Sequence, residues 1–182
     1  MKPSFLVLLS YLLLASQALA DSYPSPDNKW SVSTGNAVTL NDASGSPVLT
    51  IVKNTGGAKL IQPLWSPDSK RVVVIEDYAR GSAVCAAWLD GKTWDKALQS
   101  DEDEAAAIKQ AQGSSGGRLQ AEARLAKSWI DEKNVLIEGE LQFSNGNSRS
   151  YHYILEFTDQ PGKRDKGGYL EGVIKGTHYE LL

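Results

Sequence analysis

Trp65-Ser66-Pro67-Asp68-Ser69-Lys70-Arg71-Val72-Val73-Val74-Ile75-Glu76 is the stretch that decides the fold. Its Pro-Asp pair starts a tight turn: proline pre-sets φ, and the aspartate accepts hydrogen bonds from nearby backbone. The run Val72-Val73-Val74-Ile75 is β-branched and apolar at consecutive positions, so it reads as a strand buried on both faces. Ser82 to Leu89 supplies a second strand, and Asp90-Gly91 a tight turn after it.

The same punctuation recurs on either side. Ser25-Pro26-Asp27 lies about 40 residues earlier and is followed by Lys29-Trp30-Ser31-Val32, as Ser66-Pro67-Asp68 is followed by Lys70-Arg71-Val72. A weaker third copy is Trp129-Ile130-Asp131-Glu132-Lys133-Asn134-Val135-Leu136-Ile137, in which Trp129 aligns with Trp65. A period of about 40–45 residues is that of one four-stranded propeller blade.

The run from Trp65 to Val74 resembles the repeat of Tol-type periplasmic β-propellers: tryptophan, serine, proline, aspartate, glycine, lysine, then an apolar strand. Ser69 stands where that pattern has glycine, and Leu89-Asp90-Gly91 fits the end of such a blade. The resemblance is good from Trp65 to Gly91, fair near residue 25 and weak near residue 129. It implies that the motif residues are architecture, with Trp65 packed between neighbouring sheets. Closed propellers typically have four or more blades, and this chain has room for about three. The expected fold is therefore mostly β, with antiparallel, blade-like sheets starting near residues 25, 66 and 130. Three arrangements stay open: an open array, a sandwich-like or curled domain, or subunits that complete one another. Uncovered sheet edges would need protection.

Other strands are expected at Lys29–Ser33, Ala37–Leu40, Val48–Val52, Lys59–Trp65, Val135–Phe143, Ser150–Phe157, Gly168–Lys175 and Thr177–Leu181. Asp21 to Asn28 reads as a polar lead. Gln160 to Lys166 reads as a loop, with Lys163-Arg164-Asp165-Lys166 a solvated charged stretch. One short inserted helix is expected near 101–112. Ser100 caps it, Asp101, Glu102, Asp103 and Glu104 fill its first turn, and Gly113 ends it. Those acids lack the alternating spacing of a calcium loop. Gly113-Ser114-Ser115-Gly116-Gly117 is a flexible linker. Leu119, Ala121, Ala123 and Leu125 alternate, so 118–129 reads as a strand, although its alanine and leucine content also suits a helix.

Residues 1–20 read as a cleavable export signal: Lys2, an apolar core from Phe5 to Ala15, and Ala18-Leu19-Ala20 as the cleavage site. The mature chain is then expected as a single β-rich domain at 21–182, periplasmic or secreted, with no later membrane span. The chain carries 19 basic and 22 acidic residues, net charge −3, which gives no electrostatic case for nucleic acid. The single cysteine, Cys85, sits in an apolar run and reads as a buried thiol, with no internal disulfide available.

No spacing assigns catalytic residues, a metal or a cofactor. His152 and His178 read as strand residues, and two histidines without a cysteine pair make no zinc pattern. No G-x-S-x-G elbow or phosphate loop is present. Trp65, Trp88 and Trp129 are expected to pack in the core, and Trp94, among Lys92, Thr93, Asp95 and Lys96, at the surface. The expected function is a non-catalytic binding or protein-interaction module of the cell envelope, with a protein or polymer partner and binding residues unassigned. Self-association stays open. The alternatives are a small exported hydrolase, whose acids or His152 and His178 converge, or an inhibitor of a secreted enzyme using the loop at 160–167.

Overall fold

The computed structural model describes residues 21–99, 108–109, 112–113, 116–159 and 162–182. The expected export signal lies outside these residues. So does most of the expected helix, of which only Ile108, Lys109, Gln112 and Gly113 are described, as helical. The rest is three sheets, mainly antiparallel and none closed.

The first sheet is a meander of β1 (Ser22–Pro24), β2 (Trp30–Ser33), β3 (Val38–Asp42) and β4 (Pro47–Val52). The middle sheet contains β5 (Leu60–Trp65), β6 (Arg71–Asp77), β7 (Ser82–Asp90) and β8 (Thr93–Leu98). The third contains β9 (Leu119–Trp129), β10 (Asn134–Phe143), β11 (Ser148–Phe157) and β14 (Ile174–Leu181). Between β11 and β14 the chain returns to the middle sheet as β12 (Lys163–Arg164) and β13 (Leu170–Glu171), giving that sheet six strands in the order β12-β13-β8-β7-β6-β5.

Two expectations need correction. The polar lead at 21–28 contains strand β1, paired with β2 from Ser22↔Ser33 to Pro24↔Ser31. The charged stretch near 163 is not wholly a loop. Lys163 and Arg164 pair with Glu171 and Leu170, and Leu170 pairs in parallel with Ala97 of β8. Residues 118–129 are a strand for almost their whole length, as their alternation indicates.

Each repeat turn joins the first and second strands of its sheet. In the first two copies the serine N–H donates across the turn, Ser25 to the Trp30 carbonyl and Ser66 to the Arg71 carbonyl, both at 2.9 Å. In all three copies an aspartate Oδ1 accepts the N–H of the lysine two residues on: Lys29 to Asp27 and Lys70 to Asp68 at 3.1 Å, Lys133 to Asp131 at 2.7 Å. Asn28 and Ser69 occupy the left-handed region, φ 58° and 59°, which explains the glycine preference at that place in the turn.

The sheets pack in sequence, with the middle one covered on both faces. Val73, Ile75, Val84, Ala86 and Ala97 face the third sheet, against Val135, Ile137, Leu141, Tyr153, Leu155 and Phe157. Val72, Val74, Cys85, Ala87 and Trp94 face the first, against Val32, Val38, Leu40 and Ile51. This is the two-sided burial that the unbroken valine run implies. The step between sheets is also repeated. Trp65 Nε1 donates to the Tyr23 carbonyl at 3.0 Å, and Trp129 Nε1 to the Leu64 carbonyl at 3.3 Å. Tyr23 and Leu64 occupy the same place in their repeats. The first two turns also touch, Asp27 N–H donating to Ser69 Oγ at 3.1 Å.

The outer edge of the first sheet is covered from the middle one. Lys96, 6% exposed, donates from Nζ to the Thr50 and Ile51 carbonyls of β4 at 2.8 and 3.2 Å and lies 4.1 Å from the Tyr169 ring centroid. The Tyr169 hydroxyl also donates to the Ile51 carbonyl. Capping of this kind blunts an edge that would otherwise template further strands.

Candidate binding cleft

The two junctions between sheets end differently at the repeat turns. At the junction of the first and middle sheets, Trp30, Trp65 and Trp94 fill the space, with Trp94 edge-on to both at 5.3 and 5.9 Å. Trp94 is 7% exposed, so its expected surface position is wrong. Strand alternation points it inward with Lys96, while Asp95 between them points outward to Arg164.

At the junction of the middle and third sheets the same end holds a cleft of about 440 Å³. Its floor is Trp88, Leu89, Phe157, Leu170 and Val173, and its rim carries Asp90, Asp95, Lys133 and Asp159. Phe157 organises the floor: Trp129 stacks on it at 5.8 Å and Trp88 meets it edge-on at 6.4 Å. Arg71, the first residue of β6, places its guanidinium 5.7 Å from the Phe157 centroid. Trp30 is the first residue of β2 and follows its turn lysine as Arg71 follows Lys70. The place that a tryptophan fills in the first junction is thus taken by an arginine in the second.

The electrostatics of the turn aspartates follow from their donors. The Ser25 hydroxyl and the Lys29 N–H hold the Asp27 carboxyl down to about 2. Partial burial works against ionisation of Asp68, and the Ser66 hydroxyl, the Lys70 N–H and Arg71 outweigh it, lowering its pKa. Asp131 is lowered by the Asn134 side chain and the Lys133 N–H, and Asp159 by Lys133, whose Nζ reaches both its oxygens at 2.7 Å. On the opposite wall Arg164 grips Asp95 with two bonds of 3.0 and 2.6 Å. Of the rim residues, Asp159 is thereby held ionised at neutral pH, and Asp95 and Asp159 are each tied to a cation.

The other residues singled out by sequence lie outside the cleft, apart from Trp88 on its floor and Trp129 stacked on Phe157. Trp65, Trp88 and Trp129 are half-buried and packed against the two cores. Cys85 is 2% exposed, and burial pushes its thiol up to about 12. His152 and His178 lie on neighbouring strands of the third sheet. His152 Nε2 meets Glu180 at 3.0 Å, and His178 is exposed with φ 54° at a register shift between β11 and β14. Among the described residues no group of three His, Cys, Asp or Glu side chains is placed to hold a metal ion.

Sequence reasoning did not foresee a polar network at the far end of the second junction. Arg124 clasps Glu122 with two bonds of 3.1 Å, and both are 8% exposed. The Tyr151 hydroxyl donates to the same carboxylate. Tyr151 reaches it because its ring lies over Gly139, where a Cβ would meet ring carbon Cε1 at 2.2 Å. Comparison of the chain with protein-family models, with curated proteins and with solved structures gives no match.

Proposed function

We propose that the chain is an exported, non-catalytic binding or protein-interaction module of the cell envelope, and that the cleft between its middle and third sheets is where it meets its partner. The observation that carries this reading is the contrast between the two junctions. The same step between sheets is closed by tryptophans once and left as a cleft with a charged rim the second time. The volume falls in the range of about 300–1,000 Å³ typical of ligand sites, and the exposed lining is more polar than apolar, which suits a polar or charged partner. Among the described residues the cleft's charged groups other than Asp90 are tied in ion pairs, an arrangement suited to recognition. The resemblance of the repeat motif to that of Tol-type propellers supports the envelope assignment, which rests on that likeness alone.

The test is capture in the cell that makes the protein. The tagged chain, with residues 1–20 in place, is cross-linked and its partners are identified by mass spectrometry. The expected result is one reproducible envelope component, lost when Asp159, 86% exposed at the rim, is replaced by tryptophan. Undiminished capture by Asp159→Trp would remove the cleft from the reading. Recovery of self-cross-links alone would replace it with an assembly that completes its own array of sheets.

A further inference from the structure

We propose that the cleft takes a short peptide with both termini free, its carboxylate on Arg71 and its ammonium group on the rim carboxylates Asp90 and Asp159. The inference rests on the binding-module reading and deepens it.

Arg71 is the recognition group that the fold leaves unspent. Its side chain is 19% exposed, yet among the described residues its only side-chain hydrogen bond is a long one, 3.4 Å from Nη1 to Asp68 Oδ2. A guanidinium carries five N–H donors in a planar fork that matches a carboxylate with two parallel bonds. The neighbouring acids do not use that fork. Asp131 is engaged by Lys133 and Asn134, and Asp159 by Lys133. The rest of the guanidinium lies over Phe157 and faces the cleft. None of its nitrogens is buried without a partner, so its remaining N–H groups are open to water on the cleft side, and a ligand carboxylate would replace that water with charge-assisted bonds.

A simple anion does not fit the remainder of the lining. Asp90, Asp95 and Asp159 outnumber Arg71 and Lys133 around the cleft. Asp95 is neutralised by Arg164 and Asp159 is shared with Lys133, whereas Asp90 is exposed and makes no ion pair among the described residues. A ligand carrying a cation as well as a carboxylate satisfies both signs at once. Between them the floor of Trp88, Leu89 and Leu170 offers apolar contact to a side chain. An apolar residue with a free ammonium and a free carboxylate is at its smallest a single amino acid, and a cleft of about 440 Å³ has room for a short peptide.

The probe is a pool of tripeptides with Leu, Val or Phe at the centre, supplied free, N-acetylated, C-amidated and blocked at both ends. Binding to the chain is read by ligand-observed NMR. The free pool is expected to bind saturably, and amidation or Arg71→Lys, which keeps the charge and loses the fork, to weaken binding about tenfold or more. N-acetylation and Asp90→Asn each weaken it several-fold. Asp90 is exposed, so that variant tests the site even if a change at Arg71 disturbs the fold. Equal binding of the doubly blocked pool, or no saturable binding of the free pool up to millimolar concentration, would overturn the proposal. An envelope component captured through the cleft alongside either result would sink the peptide and leave the binding module standing.

Discussion

The first and second junctions between sheets are built by the same rule and differ in what closes them. Each is stepped by an indole N–H from the later first strand to a carbonyl of the earlier one. Each has an alternating apolar core from two sheets. In the first, Trp30 follows the turn, Trp94 meets it, and Lys96 with Tyr169 seals the edge. In the second, Arg71 follows the turn, and the chain leaves β11 to run back over the middle sheet as β12 and β13 before it makes β14. The lesson is that a repeat can hold its geometry while one residue and one insertion convert a packed seam into an open cleft.

The comparison breaks first on tryptophan. Trp94→Ala removes the ring that two others pack against and is expected to cost about 3–5 kcal/mol in denaturant unfolding. Trp88→Ala, on the half-buried cleft floor, should cost clearly less. Equal losses would mean that the second junction is packed as solidly as the first. Within the second junction, Glu122→Ala removes the buried carboxylate that Arg124 and Tyr151 both bond and should cost about 1–3 kcal/mol, whereas no measurable loss would show that the pair is solvated.

Smaller effects sharpen the turn equivalence. Ser66 is fully buried, and its Oγ accepts from the Arg71 N–H at 2.9 Å and donates to Asp68 at 2.6 Å. Ser66→Ala should cost about 1–3 kcal/mol, and the repeat demands a comparable loss for Ser25→Ala. Lys133→Ala removes an exposed ion pair and should change stability by no more than about 1 kcal/mol. Any larger effect of that substitution belongs to binding.

A pH profile isolates Glu76, which faces the first junction. Burial raises its pKa above the ordinary 4.5 against the Tyr78 hydroxyl, which lowers it. The folded chain then holds a proton that the unfolded chain has released. That stabilisation is complete below the ordinary value and is lost as pH rises through the raised one. Glu76→Gln should flatten the profile there and leave the variant more stable than wild type at neutral pH. An unchanged slope would mean that Glu76 titrates normally.

The turns and most strands were legible because their signals are local. Pro-Asp sets a turn within four residues, and Val72-Val73-Val74-Ile75 announces two-sided burial without reference to anything distant. The missed elements carry no such signal. Strand β1 is three residues ending in Pro24 and β12 is two residues, too short for a period of two to show. Strand β8, Thr93–Leu98, is obscured by its charged residues. The strand expected at Gly168–Lys175 is broken at Gly172, φ 76°, into β13 and the start of β14. Trp94 reads as a surface residue from its polar neighbours, yet alternation along β8 turns it inward together with Lys96. Lys96 points inward only because backbone carbonyls of another sheet await it. The cleft was illegible for the same reason. Arg71 reads as a motif residue until Phe157, far along the chain, is folded beneath it.

Lys29 and Lys133 are repeat-equivalent positions, one at each junction, and they allow the central claim to be tested within one molecule. A photo-cross-linking side chain would be placed at each in turn and activated in the cell that makes the protein. A specific adduct is expected from position 133 and none from position 29. The same adduct from both, or from position 29 alone, would contradict the assignment of function to the cleft of the second junction.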